Sequence, residues 1–208
     1  ELLIEIGCEE LPAAWLPKVT LEFARQLEVR LGEARIPAGS PLEAFSTPRR
    51  LVVTVAKLPD HQSDVEELIT GPAVAAAYTS DGAPTKAATG FARKYASELS
   101  KLIEVDTPKG RYLAYSRHQT GAASTAVLPA VLAATLRDLN FPKQMQRDAA
   151  LDDGHGELMF GRPIRWILFL FGGQVVPFEI GRTTLAEHTD VEALQSSNFT
   201  YGHRFLGK

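Results

Sequence analysis

Arginines beside prolines and glycines are the residues of this chain best suited to binding chemistry. Arg49 and Arg50 follow Pro48 and stand at the start of the apolar run 51–55. Guanidinium groups held at the end of a strand can grip phosphates, which prefer a planar fork of donors. Five more basic residues lie near a proline or glycine at the edge of a predicted element: Arg162, Arg165, Arg182, His203 and Arg204. If these edges converge, they form a local basic patch that suits a polyanion backbone or the acidic residues of a partner subunit.

Each of these arginines also has a purely structural alternative. The chain holds 25 carboxylates, and pairing with one of them is the commoner outcome for any single arginine. The formal net charge of −3 excludes a basic coat over the whole surface, so any nucleic-acid contact must be a local patch. From the residues alone, direct phosphate contact and bracing of the fold both stay open.

The sequence lacks the usual signatures of a catalytic or cofactor site. It contains no G-x-x-x-x-G-K-[ST] phosphate loop, no G-x-G-x-x-G motif and no histidines at metal-ligand spacing. Cys8 is the single cysteine, and the acidic residues Glu9 and Glu10 beside it disfavour a thiolate, so we expect it to be a packing residue. Glu5, Glu9 and Glu10 could in principle do acid–base work, but no His or Lys partner lies nearby in the sequence, so we expect solvated carboxylates. No catalytic residue, metal site or cofactor is therefore predicted in this chain.

Length and composition indicate a globular protein. The 208 residues are 45% hydrophobic and 23% charged, enough for one good-sized core or two small ones. No run of apolar residues approaches the roughly 18 that a bilayer requires, so no membrane-spanning helix is predicted. A single cysteine fits a reducing cytosol and predicts a cytoplasmic protein. The chain begins at Glu1 without a methionine, and we expect it to be a piece of a longer protein.

Hydrophobic periodicity predicts the elements that position the arginines. Strands are predicted at residues 2–8, 42–46 and 50–58, and an amphipathic helix from Leu16 to about Gly32. Near the end of the chain, a strand, two glycines and a second apolar strand predict a hairpin over residues 167–180. Strands and helices follow one another without regular alternation. The prediction is an α+β fold with mixed, mainly antiparallel sheets packed against amphipathic helices.

The middle of the chain has a different composition, which predicts a separate block. After Gly71 the sequence becomes rich in alanine and turn residues, and Thr85 can cap a helix. A hairpin around 108–110 and a second amphipathic helix complete the block. We therefore predict a main domain formed by residues 1–70 and 141–208, with a helix–hairpin–helix subdomain inserted at 71–140.

Short motifs that follow one another along almost the whole chain point to a family. They lie at residues 4–13, 47–51, 71–72, 84–93, 109–113, 141–145, 162–166, 175–180 and 202–205. This ordered set resembles the beta subunit of bacterial heterotetrameric glycyl-tRNA synthetase. Cys8 stands where that family usually has threonine, and residues 146–156 and 185–200 depart from its pattern as longer loops.

The resemblance implies an assembly of two alpha and two beta subunits that joins glycine to its tRNA using ATP and Mg²⁺. The adenylate-forming site would belong to the alpha subunit, and with it the ATP and Mg²⁺. This chain would be the N-terminal region of the beta subunit, with tRNA(Gly) and the alpha subunit as partners and no membrane partner. A chain in which alpha and beta are fused is also compatible with the missing methionine. The alternative is a structural scaffold or subunit-interaction module without direct RNA contact.

Overall fold

A computed structural model describes residues 1–79, 81–95, 98–151, 153, 155, 157–183 and 190–202, with the backbone alone at 145–148, 182–183 and 190–192. These residues form an α+β fold, as predicted. The strands are β1 (Leu2–Cys8), β2 (Leu42–Thr47), β3 (Arg50–Val55), β4 (Val65–Ala73), β5 (Ile103–Thr107), β6 (Gly110–Gln119), β7 (Met145–Ala150), β8 (Glu157–Phe160), β9 (Ile164–Phe171), β10 (Gln174–Val175), β11 (Glu179–Thr183) and β12 (Asp190–Ser197). The helices are α1 (Leu16–Glu33), α2 (Val74–Ala77), α3 (Lys86–Lys94) and α4 (Ser124–Arg137). None of the described helices is long and apolar enough to cross a membrane.

The chain divides into two compact units. The first joins Glu1–Gln62 to Ala122–Lys208, and the second is Ser63–Gly121. The second unit therefore begins and ends earlier than the block predicted at 71–140. The difference at the far end arises because the leucines of α4 lie in the core of the first unit.

The first unit is built on one large sheet in which β1 is an interior strand. The strand order is β2-β3-β1-β9-β12-β11-β7-β8, with β10 paired beside β9. β1 pairs antiparallel with β3 and with β9, whereas β9 and β12 run parallel. Because β1 is antiparallel to both of its neighbours, its carboxyl end lies beside the starts of β3 and β9.

The core of the first unit lies where this sheet meets α1 and α4. Alternate residues of β1 are fully buried there, in keeping with the two-residue period of a strand. The amphipathic helix predicted from Leu16 is confirmed by α1, which buries apolar residues at steps of three and four. These residues are Val19, Phe23, Leu27 and Leu31.

The last part of the first unit differs from the hairpin that the sequence predicts. β9 turns through the two glycines at 172–173, whose φ angles are 55° and 79°, but only the short strand β10 and the amide of Val176, which donates to the carbonyl of Phe169 at 2.9 Å, pair back with it among the described residues. Pro177 has no amide hydrogen, and the amide of Phe178 donates to Ser196 Oγ at 2.9 Å. The chain then forms β11, which pairs with β12 and β7. The predicted second arm is wrong beyond Val176. The two segments expected to be loops, 146–156 and 185–200, include residues of strands β7 and β12.

The second unit is a three-stranded antiparallel sheet in the order β4-β6-β5, together with α2 and α3. The hairpin predicted around 108–110 is confirmed by the pairing of β5 with β6. Thr85 precedes α3 as predicted, but its side chain does not cap the helix, because its hydroxyl donates to the carbonyl of Ala76 at 2.8 Å. The small core consists of Ala77, Ala88 and Leu113.

Candidate functional site

The carboxyl end of β1 and the starts of β3 and β9 bring three separated motifs together. Gly7 is the register partner of Arg50 on one side and of Trp166 on the other. Past Gly7 the β1–β9 register shifts, and the amide of Glu9 donates to the carbonyl of Pro163 at 3.0 Å. We call the side chains gathered here the strand-end cluster, which consists of Glu5, Glu9, Glu10, Arg49, Arg50, Arg162, Arg165 and Trp166.

Trp166 lies flat against the backbone of β1 and organises the cluster. A methyl group added to Gly7 would lie 1.9 Å from Cε2 of the indole, so only glycine permits this approach. The guanidinium carbons of Arg49 and Arg50 each lie 5.9 Å from the indole centroid, within the range of cation–π attraction. The ring of Tyr201 packs on the indole as well, with centroids 5.1 Å apart.

Glu5 is a buried carboxylate with three partners. Its side chain sits in the middle of β1 and the residue is only 7% exposed. Its Oε1 accepts hydrogen bonds from Trp166 Nε1 at 2.7 Å and from the hydroxyl of Thr200 at 2.5 Å. Arg50 Nη1 lies 3.5 Å from Oε2 and also donates to Thr200 Oγ1 at 3.3 Å. Arg50 Nη2 donates to the carbonyl of Tyr201, so Arg50 and Glu5 together fasten residues 200–201 to the sheet.

The other arginines of the cluster contact the acidic end of β1. Arg165 Nε donates to Glu9 Oε1 at 2.7 Å, and Arg162 Nε donates to the carbonyl of Glu10 at 3.1 Å. Arg49 Nε lies 3.8 Å from Glu10 Oε1 and, buried, makes no hydrogen bond with the residues that the structure describes. The side chain of Arg165 is 48% exposed, against 28% for Arg49 and 25% for Arg50. Arg165 is therefore the member best placed to reach another molecule.

The expectation that the three glutamates are solvated carboxylates is wrong for Glu5, which is buried, whereas the side chains of Glu9 and Glu10 are 33% and 54% exposed. A carboxylate in the middle of an apolar strand had to find partners, because an unpaired buried charge is costly. The partners of Glu5 could not be read from a local pattern, since Trp166 and Thr200 lie 161 and 195 residues away. Sequence reasoning named the arginines of the cluster but missed Glu5 and Trp166 as the residues that hold it together.

Cys8 lies in the core next to the cluster, as predicted. The residue is fully buried, and burial raises the pKa of its thiol to about 12. The thiolate is therefore a negligible fraction at neutral pH, which argues against a nucleophilic role.

The structure brings four of the candidate binding residues together. Arg49, Arg50, Arg162 and Arg165 all belong to the strand-end cluster. His203 and Arg204 lie outside the described residues, as does the side chain of Arg182. The four gathered arginines face three glutamates, which leaves the cluster with an excess of positive charge.

Comparison with known proteins identifies the family. A family model described as glycyl-tRNA synthetase beta subunit matches residues 2–208. The chain therefore belongs to the glycyl-tRNA synthetase beta subunit family, as its motifs indicated.

Curated relatives agree with this assignment. The chain is 39% identical over 208 residues to the glycine–tRNA ligase beta subunit of Syntrophus aciditrophicus, covering 99% of the chain and 27% of that protein. It is 39% identical over 207 residues to that of Nitratidesulfovibrio vulgaris strain Hildenborough, with 100% and 27% covered. It is 37% identical over 206 residues to that of Moorella thermoacetica, with 99% and 27% covered. The chain thus spans about a quarter of the length of these relatives.

Proposed function

We propose that this chain is the tRNA-binding and assembly region at the start of the beta subunit of a cytoplasmic glycine–tRNA ligase. In this role it supports the ATP-dependent attachment of glycine to tRNA(Gly), while ATP and Mg²⁺ bind at the alpha subunit. Membership of the beta subunit family supports the proposal. The observation that links this function to a particular surface is that four arginines lie together in the strand-end cluster.

Within the cluster, the arginines divide into two roles. Arg50 is committed to Glu5, Thr200 and Tyr201, so it braces the sheet edge. Arg165 keeps nearly half of its side chain exposed and has a single carboxylate at 2.7 Å. An exposed ion pair of this kind contributes at most about 1 kcal/mol, so a phosphate can replace the carboxylate at small cost. We assign the RNA contact to Arg165, with Arg49 and Arg162 beside it.

A purely structural scaffold is the second candidate, and one observation favours it. Each of the four arginines already contacts a carboxylate or carbonyl of β1 or of the residues just after it, or of residues 200–201. In that case the cluster would join three strand ends without touching RNA or the alpha subunit.

Replacing Arg165 separates the two candidates. Arg165→Gln in the full-length enzyme should weaken tRNA binding and reduce the magnitude of the salt slope of log affinity by about 0.7 to 0.9. Filter binding over a range of salt concentrations measures this slope. Arg25→Gln is the matched control, because Arg25 lies in the same unit, is 59% exposed and pairs with Glu22 at 2.7 Å.

The scaffold role predicts a different result for Arg165→Gln. If Arg165 only braces the fold, Arg165→Gln should lower the melting temperature and leave the salt slope equal to that of Arg25→Gln. An unaltered salt slope in the Arg165 variant would therefore remove the proposed RNA contact.

A further inference from the structure

The exposed face of α3 carries cationic side chains that form no ion pair with the described part of the chain. No Asp or Glu occurs between residues 82 and 95, although the chain as a whole has a net charge of −3. The side chains of Lys86 and Arg93 are exposed and make no hydrogen bond or ion pair with any residue that the structure describes. The ammonium of Lys94 lies 5.4 Å from the centroid of the Tyr95 ring. This contrasts with the strand-end cluster, where every arginine has a partner.

These cationic side chains share one face of α3 with Gly90. Positions separated by four, seven and eight residues share one face of a helix, so Lys86, Gly90, Arg93 and Lys94 form a stripe about 12 Å long. We call it the α3 stripe. The alanines on the opposite face of α3 are buried, which orients the stripe away from the small core of the second unit.

Gly90 has no role in the packing of the described residues. A methyl group added there would meet nothing within 4 Å, whereas one added to Gly71 would lie 2.6 Å from the ring of Phe91. Glycine in the interior of a helix is unfavourable relative to alanine, so a glycine that the packing does not need calls for another reason. Close approach of another molecule's backbone is such a reason, because the glycine leaves a gap between flanking cations.

We propose that the α3 stripe binds the phosphate backbone of RNA, with Arg93, Lys94 and Lys86 on phosphates and Gly90 as the point of closest approach. The inference rests on the proposed function, since it names a second surface for the same RNA. A protein partner fits the stripe less well, because protein interfaces are anchored by exposed apolar or aromatic side chains. The aromatic residue of α3 and the one that follows the helix are already engaged. Phe91 packs on Gly71 and makes an edge contact with Tyr95, and the ring of Tyr95 stacks on that of Tyr115.

A charge-matched pair of variants tests the phosphate contacts in the full-length enzyme. Arg93→Gln with Lys94→Gln should reduce the magnitude of the salt slope for tRNA binding by about 1.4 to 1.8. Between about 50 and about 200 mM salt, this variant should lose about tenfold less affinity than the unaltered enzyme. The control is Arg111→Gln with Arg117→Gln, which removes the same charge from the same unit but from arginines paired with Glu104 and Glu67. We expect it to retain the original slope.

Gly90→Ala distinguishes a binding role of Gly90 from a purely structural one, because it should stabilise the helix and weaken tRNA binding at the same time. Alanine should stabilise α3 and raise the amide-exchange protection of this helix by about two- to fivefold. The same change should weaken tRNA binding, because the added methyl group fills the gap in the stripe. Gly32→Ala in α1 is the control, since a methyl group there also meets nothing within 4 Å, and it should leave tRNA affinity unchanged.

Three outcomes would overturn the inference. The first is equal salt slopes for the two charge-matched variants, and the second is unchanged tRNA affinity in Gly90→Ala. The third is loss of alpha-subunit association in the Arg93 and Lys94 variant with an unchanged salt slope, which would assign the stripe to a protein. If Arg165→Gln still weakens tRNA binding in any of these cases, the proposed function stands and only the α3 stripe is rejected.

Discussion

Glu5 shows what a single buried charge demands of its surroundings. Its carboxylate is held by the indole of Trp166, the hydroxyl of Thr200 and the guanidinium of Arg50. Removing one side of such a network leaves the remaining polar groups buried without partners, which costs more than the network itself contributes. The importance of Glu5 therefore lies in what its loss would leave behind.

Substitution of Glu5 should separate its charge from its hydrogen bonds. Glu5→Leu leaves Trp166 Nε1 and the hydroxyl of Thr200 without their acceptor and Arg50 without its carboxylate, and it should lower the free energy of unfolding by about 3 kcal/mol. Glu5→Gln keeps an acceptor oxygen and should cost about 1 kcal/mol. Urea unfolding followed by tryptophan fluorescence measures both changes.

The exposed Glu43 of β2 provides the control for this comparison. Glu43→Leu replaces a glutamate on a strand of the same sheet and should change the free energy of unfolding by no more than about 0.5 kcal/mol. Equal effects of the leucine substitutions at Glu5 and Glu43 would show that the buried network contributes nothing.

At the scale of elements, an ion pair joins α4 to the segment before β8. Arg137 Nε and Nη2 donate to the two carboxylate oxygens of Asp153, each at 2.6 Å. This fork of two bonds lowers the pKa of Asp153 from 3.8 to about 2. Because the folded-state pKa is depressed, the pair stabilises the fold above about pH 4 and loses that contribution as the pH falls towards about 2.

Acid unfolding should reveal this pair. Between about pH 5 and about pH 2, the unaltered chain should lose at most about 2 kcal/mol more stability than Asp153→Asn, which cannot titrate at this position. Urea unfolding at a series of pH values measures the difference. Arg137→Gln should remove the same share of the pH dependence, because it removes the partner that depresses the pKa. A pH dependence in Asp153→Asn equal to that of the unaltered chain would contradict the assignment.

The elements that sequence reasoning predicted well are those defined by local periodicity. β1 and α1 carry their periods in consecutive residues, so both could be placed within a few positions. The parallel pairing of β12 with β9 could not be predicted, because it depends on contacts between residues far apart in the chain. The candidate site divides in the same way. Its arginines are visible beside Pro48 and Pro163, whereas the network around Glu5 exists only once the sheet has formed.

At the scale of the whole molecule, each of the two units has its own core. The core of the first unit includes large residues such as Phe23 and Phe169, whereas that of the second consists of Ala77, Ala88 and Leu113. Burial of less apolar area gives less stabilisation, so we expect the second unit to be the less stable of the two.

Core substitutions should therefore act on one unit at a time. Leu113→Ala should accelerate amide exchange in β4 and β6 but leave the tryptophan-detected unfolding midpoint unchanged, because Trp15 and Trp166 both belong to the first unit. Leu27→Ala, the matched change in the first unit, should lower the free energy of unfolding in that transition by about 2 to 5 kcal/mol. A shift of the tryptophan transition in Leu113→Ala as large as that in Leu27→Ala would show that the two units unfold together.

The interior position of β1 also has a consequence for the newly made chain. Glu5 and its partner Trp166 are 161 residues apart, and at about 5–20 residues per second a ribosome needs about 8 to 30 s to make that stretch. During that interval β1 can pair with β3, but its other edge, destined for β9, has no partner strand. An apolar strand with an open edge is a site for aggregation, so the nascent chain should depend on chaperones until β9 is made.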